Sequence, residues 1–233
     1  MKLKKNTNSS VQTVTPSKST SETKFVDAKV FVTYHPQSVL LGGFELEEKI
    51  IADLARFKQA RLRPPKEALP NSEQLGWDVE YDKDGKLLTV GVADTRNAAA
   101  FETSEPGYKK KISPIIKKAK VLVGHSVAGD LDYLVRLGLA RESWLRGVDV
   151  KDSLLLARMQ NENGGKGAYG LEALLLSNFN FTPWKAETEK LIKATGNAAD
   201  WSPEQRIARC RLDAWATAVL AEHFEGKLNE SKN

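Results

Sequence analysis

The feature that most constrains this chain is a pair of β-strand patterns joined by a tight-turn signal. Residues 75–81, LGWDVEY, and residues 87–93, LLTVGVA, flank Asp82-Lys83-Asp84-Gly85. An Asp-Gly pair between two strand patterns marks an antiparallel hairpin, because glycine accepts the positive φ that tight turns need. Ala98–Thr103 reads as a third strand. Beyond it the pattern changes to alternating helix and strand: a lysine-rich helix over about 107–118, a buried strand at Lys120–Val123, a helix at Asp130–Leu137 and a short strand at Val148–Val150. The remainder reads as helix, over about 152–160, 169–177, 186–194 and 203–224. Ser202-Pro203-Glu204 opens the last of these, with a capping serine and proline at the first helical position. Antiparallel strands followed by helix–strand alternation predict an α/β fold, a mixed β-sheet flanked by α-helices.

The segment before the hairpin has a different character. Residues 1–24 are rich in Ser, Thr, Lys and Asn and nearly lack large apolar side chains, which predicts a disordered basic tail. Residues 25–70 form an extension. It holds a β-like stretch over 25–34 and an amphipathic helix over 45–62, with Ile50, Ile51, Leu54 and Phe57 on one side. Arg63-Pro64-Pro65 stops that helix, since proline cannot continue it. The main domain is placed at 71–226, with a short tail at 227–233. The tail bears on the charge: five lysines against Glu22 put +4 of the net +5 within residues 1–24. The remainder is nearly neutral, so composition alone marks no basic nucleic-acid grip. Cys210 is the single cysteine, which excludes an intramolecular disulfide and a cysteine zinc site and fits an intracellular protein. No apolar run reaches the length of a membrane span, and no secretory signal follows the N-terminal lysines. Residues 1–24 contain no arginine, which speaks against a transit peptide, although organelle targeting stays open.

Four carboxylates stand out. Asp78 and Glu80 are two apart on a strand, so both point to one face. Asp130 follows the strand KVLV and the turn Gly124-His125-Ser126, at the carboxyl end of a strand, where open α/β sheets place their sites. Asp213 lies in the last helix among small or modest neighbours, Cys210, Ala214, Ala216 and Thr217, which allow close approach to a sheet. Hard oxygen ligands in this number suit Mg²⁺ or Mn²⁺ rather than zinc. Each acid alone has a plainer reading: a solvated strand face for Asp78 and Glu80, a helix cap for Asp130, an i, i+4 partner of Arg209 for Asp213. Their order and contexts as a set carry the argument.

On these motifs the chain resembles the DEDD superfamily of 3′→5′ exonucleases, most closely the proofreading domain of family A DNA polymerases and more distantly ribonuclease D. The first motif resembles GWDVEYDKDGKLLTVGVAD, residues 76–94; the second VLVGHSVAGDLDYLVRLGL, residues 121–139; the third SPEQRIARCRLDAWATAVL, residues 202–220. VKDSLLLARM and YGLEALL, between the second and third motifs, resemble the family's intervening stretch. The resemblance covers about residues 75–224. It implies a ribonuclease H-like fold and two Mg²⁺ or Mn²⁺ ions held by Asp78, Glu80, Asp130 and Asp213. The implied reaction is hydrolysis of single-stranded DNA ends to nucleoside 5′-monophosphates, in proofreading and DNA replication. His125, Ser126 and Arg209 stand where that reading places contacts to the substrate. A DNA polymerase subunit is the implied partner, with a location in the cytoplasm or at the replication machinery.

The sequence departs from the family at two places. The family carries a tyrosine four residues before the last Asp, or a histidine five before it, to handle the attacking water; here Arg209 and Ala208 stand there. Arginine stays protonated and cannot act as a base. The usual Asn of the second motif is Ser126. Tyr169 and His125 are the candidates to take the missing group's role. The alternatives are a weakened exonuclease fold that binds nucleic acid or a polymerase, and an RNA 3′-end trimming enzyme. Gly165-x-Gly167-x-x-Gly170 matches a dinucleotide fingerprint in letters only, since no first strand precedes it. The lysines at 109–111, 117, 118 and 120 read as a solvated helix face, and the tryptophans as core or edge residues rather than base-stacking platforms.

Overall fold

The computed structural model describes residues 62–230 apart from 163, 165, 166, 180, 182, 183, 186–189, 191–193 and 195. The expected tail over 1–24, the strand over 25–34, the helix over 45–62 except its last residue, and most of the helix over 186–194 lie outside the described residues.

The elements run β1 (Lys66–Glu67), β2 (Gln74–Tyr81), β3 (Leu87–Ala93), β4 (Asn97–Glu102), α1 (Tyr108–Lys118), β5 (Val121–Gly124), α2 (Ala128–Arg136), α3 (Glu142–Leu145), β6 (Asp149–Asp152), α4 (Ser153–Gln160), α5 (Leu171–Phe179), a 3₁₀ turn (Ala198–Asp200) and α6 (Pro203–Glu230). The strands form one six-stranded sheet in the order β1-β4-β3-β2-β5-β6. β2, β3 and β4 pair antiparallel; β5 pairs parallel with both β2 and β6, and β1 pairs parallel with β4. The fold is therefore α/β with a mixed sheet, as the pattern predicts.

The hairpin forms where its turn chemistry places it. Asp82 Oδ1 accepts from the backbone N–H of Asp84 at 3.0 Å and of Lys86 at 2.8 Å. Gly85 takes φ 76°. At the next turn Asp94 ties β3 to β4, accepting from the N–H groups of Asn71, Arg96 and Asn97. Burial pushes the Asp94 carboxyl up, but these donors outweigh it and hold the group below its ordinary value.

Strand alternation gives the sheet two unlike faces. Leu75, Trp77 and Val79 of β2 are buried with Ile112 and Ile116 of α1 and Leu134 of α2 in an apolar layer. On the other side Ala93 and Ala98 pack with Leu174 and Leu175 of α5 and Trp215, Leu220 and Phe224 of α6. α6 lies almost against the strands. A Cβ at Gly76 would meet Ala214 O at 2.2 Å, and one at Gly91 would meet Cys210 O at 2.5 Å. Glycine on the sheet and small residues on the helix are what allow this approach.

Three elements differ from the sequence reading. β1 lies within the segment assigned to the extension and hydrogen-bonds to the sheet edge, Lys66 N–H to Arg96 O at 2.8 Å. Two polar residues carry no alternation from which a strand can be read. α3 has four residues, too few for a helical period. α6 runs through Glu230 rather than stopping at Phe224, where Lys151 pairs with Glu225 and Lys227 donates to Asn178 Oδ1 at 3.3 Å. Its start agrees: Ser202 and Gln205 exchange capping bonds of 3.0 and 3.3 Å. No helix among the described residues is long and apolar enough to cross a membrane.

Candidate metal centre

Asp78 and Glu80 share the face of β2 that α6 covers, and Asp213 sits on α6 directly above them. One carboxylate oxygen from each lies within 4.8 Å of the others, a spacing that can hold a metal ion. The close approach at Gly76 and Gly91 sets that distance, since Ala214 and Cys210 bracket the acid on its helix. Cys210 Sγ–H itself donates to Asp78 O at 3.4 Å, and burial raises its thiol well above the ordinary value, so it stays protonated.

Electrostatics among the acids are unfavourable without added positive charge. The Asp78 carboxyl is pushed well above its ordinary value, by burial first and then by Asp213, Glu80 and Asp130. Asp78 Oδ2 is enclosed and accepts no hydrogen bond from the described residues. Glu80 rises to about 7, again chiefly through burial, with Arg209 opposing. An enclosed carboxylate oxygen with no donor, beside two further acids, is a donor set suited to a hard divalent cation.

Asp130 stands apart from the trio of oxygens. It occupies the first turn of α2. Burial, assisted by Asp152, raises its carboxyl to about 6. Its charge is felt at Asp78. The loop before it is built tightly. A Cβ at Gly124 would meet Val127 Cγ2 at 2.2 Å, and Ser126 takes the left-handed φ of 62°. Asp152 clamps this loop, accepting from Ser126 N–H at 3.0 Å and Val127 N–H at 3.1 Å while capping α4 through Leu154 N–H. Ser126 is exposed at the loop's tip. His125 is held from behind: its Nδ1 lies 2.9 Å from Ser153 Oγ, Ser153 O–H donates to Gly124 O at 3.1 Å, and the Tyr169 backbone is a further partner of the ring. Burial is the main cause that keeps this imidazole below its ordinary value and hence neutral near pH 7. The Tyr169 hydroxyl is engaged with loop backbone, donating to Asn161 O and accepting from Gly164 N–H at 2.9 Å.

Arg209 turns into the acids. Its Nε is 3.1 Å from Glu80 Oε1 and 3.8 Å from Asp213 Oδ2, and its guanidinium lies 4.9 Å from the centre of the Trp201 ring. The i, i+4 pairing with Asp213 is thus present, but Glu80 is the nearer partner.

Four contributors escaped the sequence reading. Lys185 Nζ is 2.6 Å from Asp213 Oδ2, and Trp184 Nε1–H donates to Asp213 Oδ1 at 2.9 Å. Trp201 and Asp152 are the others. Asp152 was open to discovery, as an Asp before an apolar helical run is a capping signal. Nothing local marks Lys185. The lysines of α1 and Lys120 are exposed, in line with a solvated face.

No protein-family model matches the chain, and no curated protein matches it at a significant level.

Proposed function

We propose that this chain is a metal-dependent 3′→5′ exonuclease of ribonuclease H-like fold, acting on single-stranded DNA ends and releasing nucleoside 5′-monophosphates. The observation that carries the reading is the meeting of Asp78, Glu80 and Asp213 within 4.8 Å, from a strand and a helix far apart in sequence, around an enclosed and unpaired carboxylate oxygen. The sheet supports it: an antiparallel β4-β3-β2 unit continues into parallel β5 and β6, so Asp130 follows the carboxyl end of the strand beside β2.

Asp78, Glu80 and Asp213, with Asp130 beside them, would hold Mg²⁺ or Mn²⁺. The chemistry such ions supply, as a pair about 3.5–4 Å apart, is activation of water and stabilisation of the leaving oxygen of a phosphodiester. The protein's own part is positional. Arg209 holds Glu80 and remains a cation, so it attracts the anionic strand rather than taking a proton from water. His125, anchored by Ser153, and the exposed Ser126 lie on the turn that leads into α2 and Asp130. The second reading, a non-catalytic module that binds nucleic acid or a polymerase, is favoured by the ion pairs of Arg209 and Lys185, which neutralise two of the acids without metal. Trimming of RNA 3′ ends is a further variant of the first reading.

The test is degradation of 5′-labelled single-stranded and 3′-recessed DNA oligonucleotides, beside the corresponding RNA, with Mg²⁺ or Mn²⁺. A ladder shortening from the 3′ end, abolished by chelator and by Asp78→Ala, is the expected result. Folded protein that shortens no strand with either metal would sink the enzyme reading, and binding without shortening would select the module.

A further inference from the structure

Resting on the metal-site reading above, we infer that Lys185 is a positioning residue that acts as a built-in counter-ion, occupying the Asp213 oxygen that a divalent cation requires and thereby setting the affinity of the site for metal. The ammonium lies 2.6 Å from Asp213 Oδ2, and the pair is nearly enclosed, with side-chain exposures of 15% and 5%. Chance does not bring it there. Three contacts fix the backbone that presents it. Glu172 of α5 accepts from the backbone N–H groups of both Trp184 and Lys185. Trp184 gives its indole N–H to Asp213 Oδ1 at 2.9 Å. Phe181 packs tilted against Trp215 of α6, ring centres 5.0 Å apart, and meets Trp184 edge-on at 6.0 Å. Both oxygens of Asp213 are therefore taken by donors delivered from one anchored segment.

The charges divide the labour. Arg209 lies closer to Glu80, while Lys185 is the closer cation to Asp213. Asp78 is left with an enclosed, unpaired oxygen. A divalent ion held by Asp78, Glu80 and Asp213 would draw on an Asp213 carboxylate whose oxygens already engage the Lys185 ammonium and the Trp184 indole N–H. Two cations cannot share one enclosed oxygen without strong repulsion, so metal binding requires Lys185 to give way. Trp184 keeps Oδ1 oriented while this happens. The arrangement stabilises the acids when metal is scarce and makes occupancy a competition.

The test is isothermal titration of the full chain with Mn²⁺ alone, comparing wild type, Lys185→Met and Lys185→Arg. Loss of the ammonium should tighten Mn²⁺ binding about tenfold, the scale of one partly buried ion pair removed as competitor. Lys185→Arg should bind Mn²⁺ as weakly as wild type. Thermal melting gives a second readout: without metal Lys185→Met melts below wild type, and saturating Mn²⁺ closes the gap. Wild type and Lys185→Met binding Mn²⁺ equally, or the variant binding more weakly, would overturn the inference while leaving the metal site intact. If neither wild type nor either variant binds Mn²⁺, the metal-site reading itself fails and takes the inference with it.

Discussion

Two arginines one turn apart on α6 meet buried carboxylates in opposite circumstances. Arg206 forks onto Glu102, with Nε–Oε1 at 3.0 Å and Nη2–Oε2 at 2.9 Å, and its Nη1 donates to Trp201 O at 2.5 Å. Thr89 O–H completes the Glu102 shell at 2.6 Å. One positive charge meets one negative charge and the carboxylate's hydrogen bonds are filled. Arg209 instead faces Glu80 and Asp213 with Asp78 behind them. Even with Lys185 added, two cations face three acids, and Asp78 Oδ2 has no donor. The first arrangement fastens the start of α6 to β4. The second is short of positive charge at a fixed place, and its three acids could hold a metal ion. Both arginines are buried beside carboxylates; what separates the two places is whether the carboxylates' partners are complete.

The sharpest way to break this comparison is to open the complete pair. Glu102→Ala leaves Arg206 buried without its partner and should cost about 3–5 kcal/mol. Urea unfolding reads this, and a loss below about 1 kcal/mol would show that the Arg206–Glu102 pair does not fasten α6 to β4. Next in size is the spacing of α6 from the sheet. Gly91→Ala puts a methyl group against Cys210 O, and the helix must shift; the expected loss is about 1–3 kcal/mol. Because Asp213 rides on that helix, Mn²⁺ affinity should fall with stability in the same variant, and an unchanged affinity would separate the helix position from the site.

The incomplete set has its own signature in pH. Glu80 at about 7 and Asp130 at about 6 lie above their ordinary values of 4.5 and 3.8, so the folded chain keeps protons that the unfolded chain releases. Their contribution is fully present below about pH 4 and is lost as pH rises to about 7. His125 and His223, held below their ordinary value by burial, pull the opposite way over the same range, so the signature is read as a difference between variants. In chelator, Glu80→Gln should raise the urea midpoint relative to wild type more at pH 7.5 than at pH 5, and an equal change at both pH values would contradict the charge-deficient site. The smallest effect belongs to an exposed control. Asp132 and Arg136 form an i, i+4 pair on α2 with exposures of 56% and 68%. Asp132→Asn should change stability by no more than about 0.5 kcal/mol, and a larger change in thermal melting would mean that the pair does more than sit on the surface.

Much of this was legible in the chain because its causes are local. Asp82 and Gly85 make the hairpin through bonds inside the turn itself, and Ser202 and Pro203 start α6 by capping chemistry that spans a single turn. Asp78 and Glu80 share a face because strands alternate. The small residues beside Asp213 signalled close approach, and Gly76 and Gly91 are their counterparts on the sheet. Lys185 and Trp184 were not legible, since a lysine between helices carries no mark of the carboxylate it will meet. β1 was missed because two polar residues have no period, and the full length of α6 because its last turns are held by Asn178 and Lys151 from other elements.

The sequence by itself determined the order and type of most elements, the two unlike faces of the sheet and the carriers of the acidic groups, because turn chemistry, capping and side-chain periodicity act within a few residues. Only the tertiary structure decided that three of the acids share one enclosed point while Asp130 stands beside it, and that Arg209 and Lys185 reach in to offset them. Those relations depend on the distance between α6 and β2 and on the anchoring of a segment by Glu172, Trp184 and Phe181, and such distances arise only when elements remote in the chain pack together.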